Sequence, residues 1–168
     1  MSRMAALESG AGAPDFRLLD AGGGEFHLRR QLDAGPVVLT FFKTSCPTCQ
    51  YGLPYLDRLA SALEGTAAQS IAVCQDSPED AQRFKLEFDF KTRVVFDTEE
   101  ADFPVSNAYG LTNVPTVFLI QRHGGIAHTG VGWSKSDIEE IAARLGVSTP
   151  FRQEEVVLPF VPGCGSRN

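Results

Sequence analysis

The chain of 168 residues is the size of one ordinary domain, since single hydrophobic cores typically organise roughly 100–200 residues. Hydrophobic residues make up 43% and charged residues 21%, with 16 Gly and 10 Pro, which excludes disordered, collagen-like and coiled-coil classes. Fifteen Lys and Arg against 21 Asp and Glu leave a formal charge of −6, so nucleic acid is not an expected partner.

Residues 1–13 are expected to be a flexible N-terminus. They hold no apolar h-region, so the expected location is cytoplasmic, or periplasmic if a leader has been removed from the natural chain. No run of about 18 apolar residues predicts a membrane span.

Asp15 to Arg30 reads as two short extended pieces around Gly22-Gly23-Gly24, an N-terminal hairpin. Val37 to Phe42, opened by Gly35-Pro36, is a β-branched and aromatic run typical of a buried central strand. Cys49, Leu53, Leu56, Ala60 and Leu63 then recur at helical spacing with Pro54 among them, which predicts a kinked helix. Ser70 to Val73 reads as a second core strand. Ser77-Pro78-Glu79-Asp80 reads as a helix start, with an N-cap, a first-turn proline and two acids at the positive end, and Ala81, Phe84 and Phe88 form its buried face.

Val94 to Phe96 is a short strand, and Asp102 to Tyr109 a brief helix ended by Gly110. Val114 to Ile120 reads as a strand that opens with Pro115, because a proline cannot donate to a sheet ladder and belongs at a strand's start or edge. His123-Gly124-Gly125 turns the chain back into Ile126 to Val131. Ser136-x-x-Glu139 is a capping box for a last helix with Ile138, Ile141, Ala142 and Leu145 on one face and Gly146 at its end. Beyond Val147, residues 148–168 belong to no standard element.

Four cysteines stand at positions 46, 49, 74 and 164. Cys46-Pro47-Thr48-Cys49 falls where a core strand runs into a helix. There the unsatisfied N–H groups and the helix dipole stabilise a thiolate at Cys46, while Cys49, one turn further in, can attack a mixed disulfide formed at Cys46. Zinc is the rival use of such a pair, but there is no second pair and His27, His123 and His128 do not form a spaced ligand set, so no metal is expected. Cys74, after Ala72-Val73, reads as a small core hydrophobe, Trp133 as an aromatic anchoring a loop, and the three histidines as solvated.

These motifs resemble the thioredoxin-like superfamily, in particular the redoxin branch of TlpA- and ResA-type thiol–disulfide oxidoreductases that borders on AhpC/TSA peroxiredoxin-like proteins. The likeness spans residues 14–147. It rests on Pro14-Asp15-Phe16, on Phe41-Phe42-Lys43-Thr44-Ser45-Cys46-Pro47-Thr48-Cys49 and on Val114-Pro115-Thr116, with Gly124 and Gly132 also fitting. The resemblance implies a three-layer α/β/α sandwich with a central mixed β-sheet and an N-terminal hairpin extension. It implies Cys46 as nucleophile, Cys49 as resolving thiol, Pro47 and Thr48 as tuning residues, and a cis Pro115 which, with Val114, shapes a groove for substrate peptide. It implies no cofactor beyond a Cys46–Cys49 disulfide. Protein dithiols and disulfides are the expected substrates, with an upstream redox partner.

The chain departs from the pattern in several places. Ser45 stands where many thioredoxins have Trp, Thr40 where thioredoxin has a buried Asp, and Gly52 where ResA-like proteins have Glu. Lys43 is a candidate for lowering the Cys46 pKa in compensation. The peroxidatic motif of peroxiredoxins has Thr or Ser three residues before the cysteine and Pro seven before it, where this chain has Lys43 and Leu39. A thiol peroxidase therefore stands as the alternative reading, and a non-catalytic redox sensor or binding module as another.

Cys164 lies in Pro162-Gly163-Cys164-Gly165, a glycine-flanked setting. The apolar segment Val156 to Val161 offers a means of docking on the domain or on a second subunit, which would make a homodimer through this tail and bring Cys164 to the Cys46 site as a third redox centre. The bland alternative is a disordered tail or a surface staple.

Overall fold

The computed structural model describes residues 5–168. Its elements run β1 (Arg17–Leu19), β2 (Glu25–His27), α1 (Leu28–Ala34), β3 (Val37–Phe42), α2 (Pro47–Ala62), β4 (Gln69–Cys74), α3 (Pro78–Phe88) and β5 (Val94–Phe96). They continue with α4 (Pro104–Ala108), β6 (Asn113–Val114), β7 (Thr116–Ile120), β8 (Ile126–Val131), β9 (Trp133–Ser134), α5 (Lys135–Leu145), β10 (Phe160–Val161) and β11 (Cys164–Gly165).

Five strands form the central sheet in the order β5-β4-β3-β7-β8. Strand β4 is parallel to β3 and β5, and β7 is antiparallel to β3 and β8, so the sheet is mixed. All six residues of β3 are buried. Successive side chains of a strand point to opposite faces. The Phe41 ring accordingly lies 5.5 Å from Tyr109 and 5.9 Å from Phe118, while Phe42 lies 5.2 Å from Phe84 of α3 and 6.1 Å from Phe90. Both faces of the sheet are thus covered, which gives the three-layer α/β/α arrangement of a thioredoxin-like fold.

Local chemistry explains most helix starts. Ser77 Oγ accepts from the Asp80 N–H at 3.2 Å and caps α3. The buried carboxylate of Asp97 accepts from the N–H groups of Val105 at 3.2 Å and Ser106 at 2.7 Å, so it seats the one-turn helix α4. Helix α2 carries Pro54 inside its span.

Two expectations need correction. The extended piece after Gly24 stops at His27, and Leu28 to Ala34 forms α1. Its N-cap His27 offers no side-chain bond; burial of Leu28 and Leu32, one turn apart on the same face, holds it. Helix α5 is capped by Ser134 and not by Ser136. Ser134 is extended, as a residue of β9, and its Oγ accepts from the Asp137 N–H at 3.4 Å.

Of the stretch 1–13, residues 1–4 lie outside the described part. The rest runs along the domain, with Leu7 N–H donating to Tyr109 O at 3.1 Å, Gly10 to Ile126 O at 2.9 Å and Ala13 to Gly124 O at 2.8 Å. Two of the three histidines are also less solvated than expected, because each meets a carboxylate: His27 Nε2 is 2.9 Å from Asp15 and His128 Nε2 is 2.8 Å from Asp137. Residues 148–168 are not a loose tail. Strand β10 pairs antiparallel with β9, and β11 pairs antiparallel with β6, so the segment docks on its own domain. No helix among the described residues is long and apolar enough to cross a membrane.

Candidate active site

The last residue of β3 delivers the chain into the loop 43–46, and two side chains shape that loop. Asp76 Oδ2 accepts from the Thr44 N–H at 2.7 Å and from the Thr44 hydroxyl at 3.0 Å, while Gln50 Nε2 donates to Thr44 O at 3.0 Å. Cys46 is thereby set at the N-cap of α2 with Pro47 in the first turn. Its Sγ accepts from the Cys49 N–H at 3.3 Å, as the side chain of an N-cap residue does.

The two thiols of the motif are pushed apart. The Cys46 thiol is drawn down to about 5, first by a hydrogen bond from the Cys49 thiol and then by one from the Cys164 thiol, against the opposing effect of burial. Cys49, with 0% of its surface exposed, is pushed well above the usual thiol range by burial and by the negative charge that Cys46 carries. At neutral pH one sulfur is therefore a thiolate at the helix start and the other a thiol one turn further in. Cys74 is pushed up to about 12 by burial and is inert.

The Val114–Pro115 peptide bond is cis. Val114 O stands 3.5 Å from Cys46 Sγ, which brings β6 directly beside the cysteine. The other neighbours of Cys46 come from the closing segment. Cys164 Sγ lies 2.6 Å from Cys46 Sγ, and Cys46 is only 1% exposed as a result of this covering.

Thr48 and Lys43, expected to tune the cysteine, both hold that segment. Thr48 Oγ1 donates to Pro162 O and Lys43 Nζ to Gly165 O, each at 2.6 Å. The expectation that Lys43 depresses the Cys46 pKa is corrected, because its ammonium is turned to a backbone carbonyl and the thiolate is held by the neighbouring thiols and N–H groups. Among the described residues no group of three or more His, Cys, Asp or Glu side chains is arranged to hold a metal ion.

Trp133, expected to anchor a loop, does so against the closing segment, and Tyr51 and Asp76 are contributors that the sequence did not single out. Trp133 is 1% exposed, stacks on Tyr55 with ring centroids 5.1 Å apart and donates Nε1–H to Leu158 O at 2.8 Å. Tyr51 OH accepts from the Leu158 N–H at 2.9 Å. Asp76, which shapes the cysteine loop, also pairs with Arg167 at 2.6 Å. No local periodicity signals these partners, since each joins the cysteine region to a segment far along the chain.

The AhpC/TSA family model matches residues 9–129, and residues 148–168 lie outside that span. The chain is 33% identical over 135 residues to the thiol-disulfide oxidoreductase ResA of Halalkalibacterium halodurans, covering 79% of this chain and 74% of that protein. It is 31% identical over 137 residues to ResA of Geobacillus thermodenitrificans, covering 80% and 76%. Among solved structures, a DsbE-type thiol:disulfide interchange protein of Chlorobium tepidum superposes with a TM-score of 0.72 at 26% identity, covering 83% of this chain and 99% of that one. The peroxidoxin BcpB of Mycobacterium tuberculosis superposes with a TM-score of 0.71 at 21% identity, covering 83% and 97%, a likeness of fold.

Proposed function

The chain belongs to the AhpC/TSA family, and we propose that within it the protein works as a thiol–disulfide oxidoreductase on protein substrates, with Cys46 as nucleophile and Cys49 as resolving thiol. The observation that carries this reading is the split between a thiolate at the start of α2 and a buried thiol one turn away.

The Cys46 thiolate attacks one sulfur of a substrate disulfide. The substrate S–S bond breaks, one substrate sulfur leaves as a thiolate that takes a proton from solvent, and the other is held in a mixed disulfide with Cys46. Cys49 then loses its proton and attacks the Cys46 sulfur, expelling the second substrate thiolate. The substrate has gained two electrons, and the protein carries a Cys46–Cys49 disulfide. An upstream dithiol partner returns it to the reduced form by the same exchange, and the whole sequence reversed oxidises a substrate dithiol. The burial that raises Cys49 keeps it protonated until the mixed disulfide forms beside it.

The test is catalysis of insulin disulfide reduction by dithiothreitol. The parent protein accelerates it, Cys46→Ser abolishes the acceleration, and a Cys49→Ser, Cys164→Ser double variant, which lacks both thiols beside Cys46, accumulates a mixed disulfide on Cys46. A Cys46→Ser variant as active as the parent overturns the assignment. Consumption of hydrogen peroxide faster than disulfide exchange would replace it by the peroxidase reading.

A further inference from the structure

Strand β6 is only two residues long and lies outside the five-stranded central sheet; among the described residues its one ladder is with β11. Without β11 it would present an unpaired backbone edge directly beside the Cys46 sulfur. An extended segment that adds to such an edge is held by main-chain hydrogen bonds whatever its sequence, and a cysteine in that segment is brought to Cys46 by register alone. The chain's own closing segment does this. Cys164 is the residue opposite Val114 in the antiparallel register, and Val114 is the residue whose carbonyl faces Cys46.

We propose that residues 160–165 stand in the place of an extended substrate segment along β6, and that Cys164 is a third redox-active cysteine that closes a disulfide with Cys46. The proposal rests on the reading of Cys46 as nucleophile beside a substrate groove at Val114 and Pro115, and adds that the chain's own closing segment occupies that groove with a reactive cysteine.

Several contacts show a segment built for that place. Pro162 O is bound by Thr48 Oγ1, Gly165 O by Lys43 Nζ, and the Ser166 N–H donates to Thr112 O at 3.0 Å. Gly163 lies so close to β6 that a Cβ there would sit 2.8 Å from Val114 O and 3.2 Å from Asn113 Cβ, so only glycine lets the backbone approach this far.

The chemistry uses no new reagent. With the segment displaced, Cys46 takes up one half of a substrate disulfide as a mixed disulfide and releases the other half as a thiolate. The returning Cys164, as thiolate, attacks the Cys46 sulfur and expels the remaining substrate thiolate, leaving a Cys46–Cys164 bond. Cys49 then attacks the same Cys46 sulfur, forms Cys46–Cys49 and frees Cys164 as a thiolate that takes a proton from solvent. Two electrons have passed to substrate, from Cys46 and Cys49, and Cys164 is restored. A docked segment also denies the β6 edge to substrates until it leaves.

The experiment uses the full chain. Cys49→Ser protein is treated with one equivalent of oxidised glutathione, and its cysteines are mapped by alkylation and peptide mass spectrometry. The expected product is an intramolecular Cys46–Cys164 disulfide with glutathione released; a glutathione adduct that persists on Cys46, or a disulfide between two chains, overturns the proposal. Gly163→Val then pushes the segment off β6. In the Cys49→Ser background it should preserve the glutathione adduct. In the parent it should raise the rate of insulin reduction by on the order of tenfold, as when the binding-competent fraction rises from about a tenth to nearly all. A Gly163→Val protein that matches the parent in both assays also overturns the proposal. If neither parent nor Gly163→Val accelerates insulin reduction, the oxidoreductase reading falls instead, while the mapped bond still judges Cys164.

Discussion

A Cβ placed on Gly52 would lie 2.8 Å from Cε3 of Trp133, so the indole occupies the space that any side chain on this turn of α2 would claim. The ResA-like pattern that this chain resembles carries Glu at that turn. Here the absent side chain lets Trp133 sink to 1% exposure, stack on Tyr55 and grip Leu158 of the closing segment. One glycine therefore links the active-site helix to the segment that covers Cys46.

Restoring the acid tests that link. Gly52→Glu should force Trp133 out of its site and lower stability by about 1–3 kcal/mol, the usual penalty of overpacking a filled core. Freed from Leu158, the indole should show red-shifted fluorescence, and alkylation of Cys46 should speed up as its cover loosens. Unchanged denaturant midpoint and unchanged emission would show that Trp133 does not need the glycine.

The second prediction concerns protonation. Following thiolate absorbance in the ultraviolet, Cys46 should titrate with a midpoint of about 5 in the parent protein. Cys49→Ala should move the midpoint up the most, and Cys164→Ala by less, because the Cys49 thiol supplies the stronger hydrogen bond and Cys164 the weaker. The sign for stability follows. The folded-state value lies below that of an unfolded thiol, about 8.5, so the thiolate contributes stability that is complete above the unfolded value. That contribution is lost as pH falls from about 8.5 through about 5. Denaturation of the reduced protein at several pH values should therefore show a decline across this window that Cys46→Ala removes; a parent and variant with parallel profiles would contradict the depressed value.

Thr40, at the position where thioredoxin carries a buried Asp, offers a third test. It is 3% exposed, and its Oγ1 has no hydrogen-bond partner among the described residues. Burying such a hydroxyl is unfavourable, so Thr40→Val should raise the unfolding free energy by about 1 kcal/mol. Insulin reduction should proceed at the parent rate, since the Thr40 hydroxyl is hydrogen-bonded to neither cysteine of the motif. A destabilised variant would mean that the hydroxyl is bonded in solution.

Much of this protein is legible in its sequence because the signals are local. The unbroken apolar run of β3, the helical spacing from Cys49 to Leu63, Ser77 as a cap and Pro115 at the head of β7 each act within a few residues, and the strand-to-helix position of Cys46 already implies a low thiol pKa. What stayed hidden depends on partners distant in the chain. Helix α1 is held by burial of two leucines and carries no capping signal, and Ser134 becomes the cap of α5 because β10 holds it extended. Strands β10 and β11 are two residues long, too short for any periodicity, and their pairing with β9 and β6 is set by side chains and backbone from elsewhere in the fold. Cys46 and Cys164 are 118 residues apart in sequence. Such contacts form only after the sheet has brought β3 and β7 side by side, so spacing along the chain names the two cysteines but cannot bring them together.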